Sequence, residues 1–210
     1  VAKSARTAPG EELNAGEPTV PRAASTVILL RGGERQLELL LVKRTPAARF
    51  MGGAWVFPGG AVSGEDGEGE AAHRAAALRE LREEAGIELS DPGALVAFAR
   101  WITPAQVRIR FDTWFYLAAA PDDARPRVDG SEIVDWLWLT PAEALARGER
   151  GELFLVFPTI KQLEALASFA TAAEALKHAA EHPVVPVTPQ VVGSGEQARI
   201  VLPGEPGFQP

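Results

Sequence analysis

A single α/β (α+β) sandwich domain is the fold this sequence predicts. Two observations carry the expectation. Apolar runs of strand length recur at 27–30, 37–42, 94–102, 107–120 and 132–139, and helix-patterned segments fall between or after them at 71–85, 141–147 and 159–181. The 210 residues are 46% hydrophobic, which supplies the apolar side chains for one domain with a sizeable core. Strands surrounding a few helices pack as layers about a sheet.

Taken in order, residues 1–22 are rich in Gly, Pro, Ala and charge and read as a flexible tail ahead of a domain over 23–182. "AASTVILLRGGERQLELLLVKR" reads as two strands joined by a Gly-Gly turn. A loop at 45–53 leads to a short strand, "AWVF", which "PGG" at 58–60 breaks. "AVSGEDGEGE" is a Gly-rich acidic loop. Ala71–Ala77 then favour a helix, with Leu78, Leu81 and Ala85 as its apolar stripe and Gly86 as its stop. Strands follow at 94–102, 107–120 and 132–139. Thr140 is placed to cap a short helix that Pro141 opens. Residues 159–181 read as one long Ala/Leu-rich amphipathic helix, and 183–210 as a Pro/Gly-rich extension able to form short edge strands.

Composition excludes several functions. The formal net charge is −7, against sequence-independent nucleic-acid binding and against a polybasic membrane anchor. The absence of cysteine removes disulfides, thiolate metal sites and cysteine nucleophiles. No apolar run reaches the roughly 18 residues of a membrane-spanning helix, and "VAKSARTAPG" lacks the apolar core of a secretory signal. A cytoplasmic protein is the expectation. An acidic protein acting on a polyphosphate must supply positive charge locally, most simply as a metal ion.

The chemistry concentrates in "RELREEAGI". Glu80, Glu83 and Glu84 have the i, i+3, i+4 spacing of one helix face, opposite Leu78, Leu81 and Ala85. Such a face is either solvated, with Arg79 and Glu83 as an ordinary pair, or it holds a hard divalent cation, which prefers oxygen ligands. "FPGG" shortly upstream adds backbone carbonyls beside the helix.

"FPGGAVSG" followed by "RELREEAGI" resembles the box of the Nudix hydrolases. Arg79, Glu80, Leu81, Glu83, Glu84, Gly86 and Ile87 match its second half in full. The first half departs: Gly60 stands nineteen positions before Arg79 where the family pattern has fourteen, and the family's upstream glutamate position falls on Ala71, with Glu70 one place off and Glu68 near. The flanks "LLVKRTPAARFMGGAWVFPGG", "RWITP", "RFDTWFYLA", "EIVDWLWLTPAEAL" and "FPTIKQLEAL" are similar to the branch that includes peroxisomal coenzyme A diphosphatases and their bacterial relatives, whose members also carry an insertion in the box. The ending "GFQP" is not a peroxisomal signal.

This resemblance implies a Nudix-type α/β/α sandwich with a mixed central sheet, and Mg²⁺- or Mn²⁺-dependent hydrolysis of a nucleoside-diphosphate derivative. Coenzyme A or an acyl-CoA is favoured; ADP-ribose, dinucleotides or nucleotide sugars are the alternative. A non-catalytic nucleotide-binding domain is the third reading, disfavoured because all three box glutamates are present. The implied metal ligands are Glu80, Glu83, Glu84 and the Gly59 carbonyl, with Arg79 orienting a glutamate. The implied general base is a box glutamate or an acid on a later loop. Glu132 is the candidate there, against a plain surface role at a turn, and Asp112 is the second, against pointing at solvent or pairing with Arg108 or Arg110. Lys43, Arg44 and Arg49 flank the metal loop as candidate phosphate contacts or simple surface charges. Trp101, Phe111 and Trp114 read as core or as a base platform, and His73, His178 and His182 as solvated helix residues. Nudix enzymes are often homodimers, and the Ala-rich helix offers its apolar face either to a second copy or to its own sheet.

Overall fold

The computed structural model describes residues 14, 16–48, 51–193 and 198–209. Its centre is β1, Arg22–Arg31. This strand carries apolar residues without alternation, as a strand covered on both faces must. Val27, Ile28, Leu29 and Leu30 are all fully buried. Along one edge β1 runs parallel to β6, Phe111–Ala119, in unbroken register from Arg22 opposite Phe111 to Leu30 opposite Ala119. The other edge is shared. Antiparallel β2, Glu38–Arg44, meets it at Leu30 and Arg31, and antiparallel β4, Gly59–Ala61, meets it at Ala24–Thr26.

The sheet extends from both sides of this core. β2 pairs with β3, Trp55–Val56, and with β7, Ile133–Leu139. β5, Val96–Ile102, pairs antiparallel with β6 and parallel with β8, Pro186–Val187, giving an eight-stranded mixed sheet. β9, Gln190–Val192, and β10, Arg199–Val201, form a separate ribbon. "PGG" therefore does more than end a strand: Gly59 and Gly60 belong to β4, which the sequence reading did not resolve. Of the tail expected over 1–22, residues 1–13 and 15 lie outside the described residues. Near its end the Thr19 carbonyl accepts from Arg110 and the Thr19 hydroxyl donates to the Arg108 carbonyl.

Each face of the sheet holds its own core. Ile28, Leu30, Leu39, Leu41, Phe115 and Leu117 pack on one face under α2 (Pro141–Glu149), α3 (Phe157–Leu166) and α4 (Ala172–Glu181). Val27, Leu29, Leu40, Val42, Tyr116 and Ala118 pack on the other under α1 (Gly69–Ala85). The result is the α/β/α sandwich expected. Gly86 ends α1 at φ 64°, in the left-handed region that glycine adopts cheaply, and its N–H donates to the Arg82 carbonyl. Thr140 caps α2 as expected, accepting from the Glu143 N–H. No helix among the described residues is long and apolar enough to cross a membrane.

The long helix expected over 159–181 is two helices, broken at 167–171. The Thr171 hydroxyl accepts from the Glu174 N–H, and the Glu174 carboxylate accepts from the Ala170 N–H at 2.9 Å. These two bonds start a new helix inside an otherwise helix-favouring run, and the break lets both pieces turn their apolar sides inward. Leu163, Leu166, Ala172, Ala175 and Ala179 all face this chain's own sheet. We expect Thr171→Ala to cost about 1 kcal/mol and lower Tm by about 2–4 °C in a chain of this size, measured by thermal unfolding. An unchanged Tm would show that tertiary packing alone sets the break.

Candidate active site

The last turns of α1 do not present three equivalent carboxylates. Glu84 shares the buried side of the helix with Ala77, Leu81 and Ala85 and is only 5% exposed. Glu83 is half exposed at 52%, and Glu80 lies between these extremes. The expected separation of an acidic face from an apolar face is thus corrected: one glutamate is turned into the protein, where β4 receives it.

Two glycines make that reception possible. The Gly59 N–H donates to Glu84 Oε2 at 2.9 Å. A Cβ on Gly59 would fall 2.5 Å from the Ser25 carbonyl oxygen and the Thr26 hydroxyl, so β4 would have to leave β1. A Cβ on Gly60 would fall 2.3 Å from Glu80 Oε1, so Glu80 rests directly against the backbone there. In the β1–β4 ladder Val27 donates to the Pro58 carbonyl and Val62 to the Ala23 carbonyl. The paired positions between them alternate, which turns the Gly59 N–H and C=O away from β1, toward the carboxylates.

Burial and like charge act together on these acids. Loss of water pushes the Glu84 carboxyl up to about 8; Glu80 and Glu132 push the same way, while the Gly59 N–H and Arg44 oppose them. Glu80 is also raised, first by burial and further by Glu83 and Glu132, against the lowering effect of Arg79.

Two arginines counter the acids. Arg79 Nη1 donates to Glu80 Oε1 at 2.7 Å and Glu83 Oε2 at 3.2 Å. Its Nε and Nη2 fork onto the two Asp66 oxygens at 3.0 Å each, and Nη2 also donates to the Ala61 carbonyl at 3.1 Å. Arg44 lies between Glu132, 3.3 Å away, and Glu84, 4.0 Å away. Its buried Nε has no hydrogen-bond partner among the described residues. The Glu132 side chain is 63% exposed, but its backbone is anchored: the Asp129 carboxylate accepts from the Glu132 and Ile133 N–H groups and from the Ser131 hydroxyl, which draws the Asp129 carboxyl down to about 2.

Glu80, Glu83, Glu84, Gly59, Arg79, Arg44 and Glu132 are therefore brought into one neighbourhood. Arg49 lies outside the described residues. Lys43 sits over the Trp55 ring, 5.7 Å from its centre. Asp112 meets an arginine the sequence reading did not name: Arg100 forks onto it at 2.8 and 2.6 Å across the β5–β6 pair. Trp101 packs on the face of α3, against Phe157, while Trp114 packs on the opposite face, so the two share no platform. His73 is not a solvated helix residue: its Nδ1 lies 2.9 Å from the hydroxyl of fully buried Ser25. His178 and His182 stack with ring centres 4.0 Å apart.

Asp66 and Asp129 were missed by the sequence reading. "SGED" has the Ser-x-x-Asp spacing of a capping box, and "DGSE" begins with the Asp-Gly of a tight turn, but neither pattern says which arginine or strand the acid will meet. A cavity of about 430 Å³ lies beyond the end of α1, between Gly86–Glu88 and the 121–127 loop, and none of the three box glutamates lines it.

Comparison with known proteins bears on the family and the fold. The family model described as NUDIX domain matches residues 9–157. A Caenorhabditis elegans protein carrying the provisional name nudix hydrolase 7 is 28% identical over 179 residues, 69% of this chain and 60% of that protein, so the chain spans about three fifths of its length. The crystal structure of a NUDIX hydrolase from Alicyclobacillus acidocaldarius superposes with a TM-score of 0.71 at 28% identity, covering 79% of this chain and 99% of that one. The NUDIX domain of Shewanella oneidensis NrtR, solved with ADP ribose, shares the fold at a TM-score of 0.54 and 20% identity, over 70% of this chain and 86% of that one.

A raised carboxyl has a definite sign in stability. In the metal-free chain Glu84 is held above its ordinary 4.5, so between about pH 4.5 and 8 the folded chain binds more protons than the unfolded one. Stability must fall as pH rises through that window. We expect Glu84→Gln, which never ionises, to raise the Tm of metal-free protein at pH 8 by about 4 °C or more, and to leave it unchanged near pH 4.5. Equal shifts at both pH values would mean that burial of the charge is not the cause.

Proposed function

Since the chain belongs to the Nudix hydrolase family, we propose that it hydrolyses the diphosphate link of a nucleoside-diphosphate derivative in the presence of Mg²⁺ or Mn²⁺, with coenzyme A or an acyl-CoA as the favoured substrate. The observation that carries this reading is the seating of Glu80 and Glu84 against Gly60 and Gly59, beside Glu83. Apart from solvent, every ligand offered here is a carboxylate or carbonyl oxygen, the donor set of a hard divalent cation. No three Asp, Glu or His side chains among the described residues are gathered as a ready cage. Mg²⁺ does not require one, because it keeps several waters and takes one or two carboxylates together with substrate phosphates.

In this reading Glu80, Glu83, Glu84 and the Gly59 carbonyl hold the cation, which when bound neutralises the diphosphate and polarises its P–O bonds. Arg79 keeps Glu80 and Glu83 from swinging apart. Glu132, well exposed to water and tied to Arg44, takes the proton of the attacking water as its oxygen bonds to phosphorus. The bond from that phosphorus to the bridging oxygen breaks, and two phosphate monoesters leave. Arg44 and Arg49 are the proposed phosphate contacts. Preference for coenzyme A rests on the stretches around the box, "LLVKR", "FMGGAWVFPGG" and "EIVDWLWLTPAEAL".

The test is a panel of coenzyme A, acyl-CoAs, ADP-ribose, NADH and diadenosine polyphosphates, each with Mg²⁺, Mn²⁺ or chelator. Turnover only with metal, and highest kcat/KM on a coenzyme A compound, is the expected outcome; a higher value on ADP-ribose or a dinucleotide would reassign the substrate within the same chemistry. Glu83→Gln should lower kcat by at least about 100-fold while leaving the circular dichroism spectrum unchanged, because a ligand carboxylate matters no less than the groups that support one. Wild-type rates in that variant would remove α1 from the mechanism.

A further inference from the structure

The acidic loop ahead of α1 has a partner that the box does not account for. Asp66 closes a single helical turn, Gly64–Asp66, and its side chain is only 4% exposed. The Ser63 N–H and hydroxyl donate to Asp66 Oδ2 at 2.7 and 2.9 Å. Both Asp66 oxygens then accept the forked Nε and Nη2 edge of Arg79. This contact holds the Asp66 carboxyl down at about 2. Glu70, nearest to the place where the family pattern has its upstream acid, is turned to Arg74 at 3.1 Å instead.

A guanidinium is planar and carries five N–H donors in fixed directions. With one edge locked on Asp66, only Nη1 is left for the acids of α1, and it reaches Glu80 and Glu83 with one bond each. Released from Asp66, Arg79 is free to fork onto either glutamate. A forked arginine would occupy both oxygens of that carboxylate and compete with a cation for it.

We infer that Asp66 is a positioning residue that fixes the plane of Arg79, so that the arginine orients Glu80 and Glu83 without capturing either as a ligand. The inserted loop is then part of the metal-binding apparatus and not a slack connection. This inference rests on the metal-dependent reading proposed above.

The test is calorimetric titration of substrate-free protein with Mn²⁺ for the wild type, Asp66→Asn, Asp66→Ala, Asp66→Glu, Arg79→Lys and Asp66→Asn/Arg79→Lys, with circular dichroism confirming the fold of each. Either neutral variant suffices if the other does not fold. Asp66→Asn or Asp66→Ala should weaken Mn²⁺ binding by about tenfold, in the range seen when groups supporting a metal ligand are removed. Asp66→Glu should stay within about twofold of wild type, since it keeps the charge and the fork. In the Arg79→Lys background, where no fork exists, Asp66→Asn should bring no further loss. A loss of equal size in that background would mean that Asp66 acts only as a nearby charge, and wild-type affinity in the neutral variants would mean that it only staples its loop; either result overturns the inference alone. No Mn²⁺ binding by the wild type would overturn the metal-dependent reading and the inference with it.

Discussion

The candidate site depends on one guanidinium. Carboxylates brought together with little water repel, and each raises the proton affinity of the next. Arg79 answers this with all five of its N–H donors, distributed over Asp66, Glu80, Glu83 and the Ala61 carbonyl. Because those donors lie in one plane at fixed angles, Arg79 does more than supply a positive charge. It fixes the loop at 61–66 relative to the outer side of α1. A lysine, with a single freely turning ammonium, has no comparable way of holding two elements in register.

On the inner side of α1 the constraint is space. Ala72, Ala76, Ala77 and Ala85 are buried where larger side chains would push the helix from the sheet. The close approach brings Glu80 and Glu84 down onto β4, where only glycine leaves room for their carboxyl groups. The shared edge of β1 completes the arrangement. β4 takes its first half and β2 its last residues, so the end of β2 carries Arg44 to Glu84 while β7, paired to β2, carries Glu132 to Arg44. Small residues in the helix, glycines in the short strand and one divided strand edge thus serve the same end. They place ionisable groups of α1, β2 and the start of β7 within reach of one another.

Some of this was legible in the primary structure and some was not. The β1 and β2 runs were clear because strands covered on both faces are apolar throughout. Gly86 and Thr140 marked helix ends because each meets a local requirement that few residues satisfy. The break between α3 and α4 was hidden because alanine and leucine favour helix on both sides of it; the signal was Thr171 with Glu174, a weak one amid strong propensity. The burial of Glu84 was hidden for a different reason. Helical spacing says which residues share a face, but where solvent ends and β4 begins is decided by another element.

What the sequence alone determined is the set of groups and their local spacing: an acidic helix over the "RELREEAGI" stretch, a Pro-Gly-Gly stretch ahead of it, two apolar strands and the absence of any thiol chemistry. These follow from short-range rules of pitch, propensity and side-chain type. Only the tertiary structure decided that Asp66 would meet Arg79, that Asp112 would meet Arg100, that His73 would meet Ser25, and that Glu84 would be the acid turned inward. Each of those contacts joins residues from different elements, and their distances are set by how closely helix and sheet can pack. That closeness depends on the volumes of all the side chains between them, a property of the assembled layers and of no single stretch of chain.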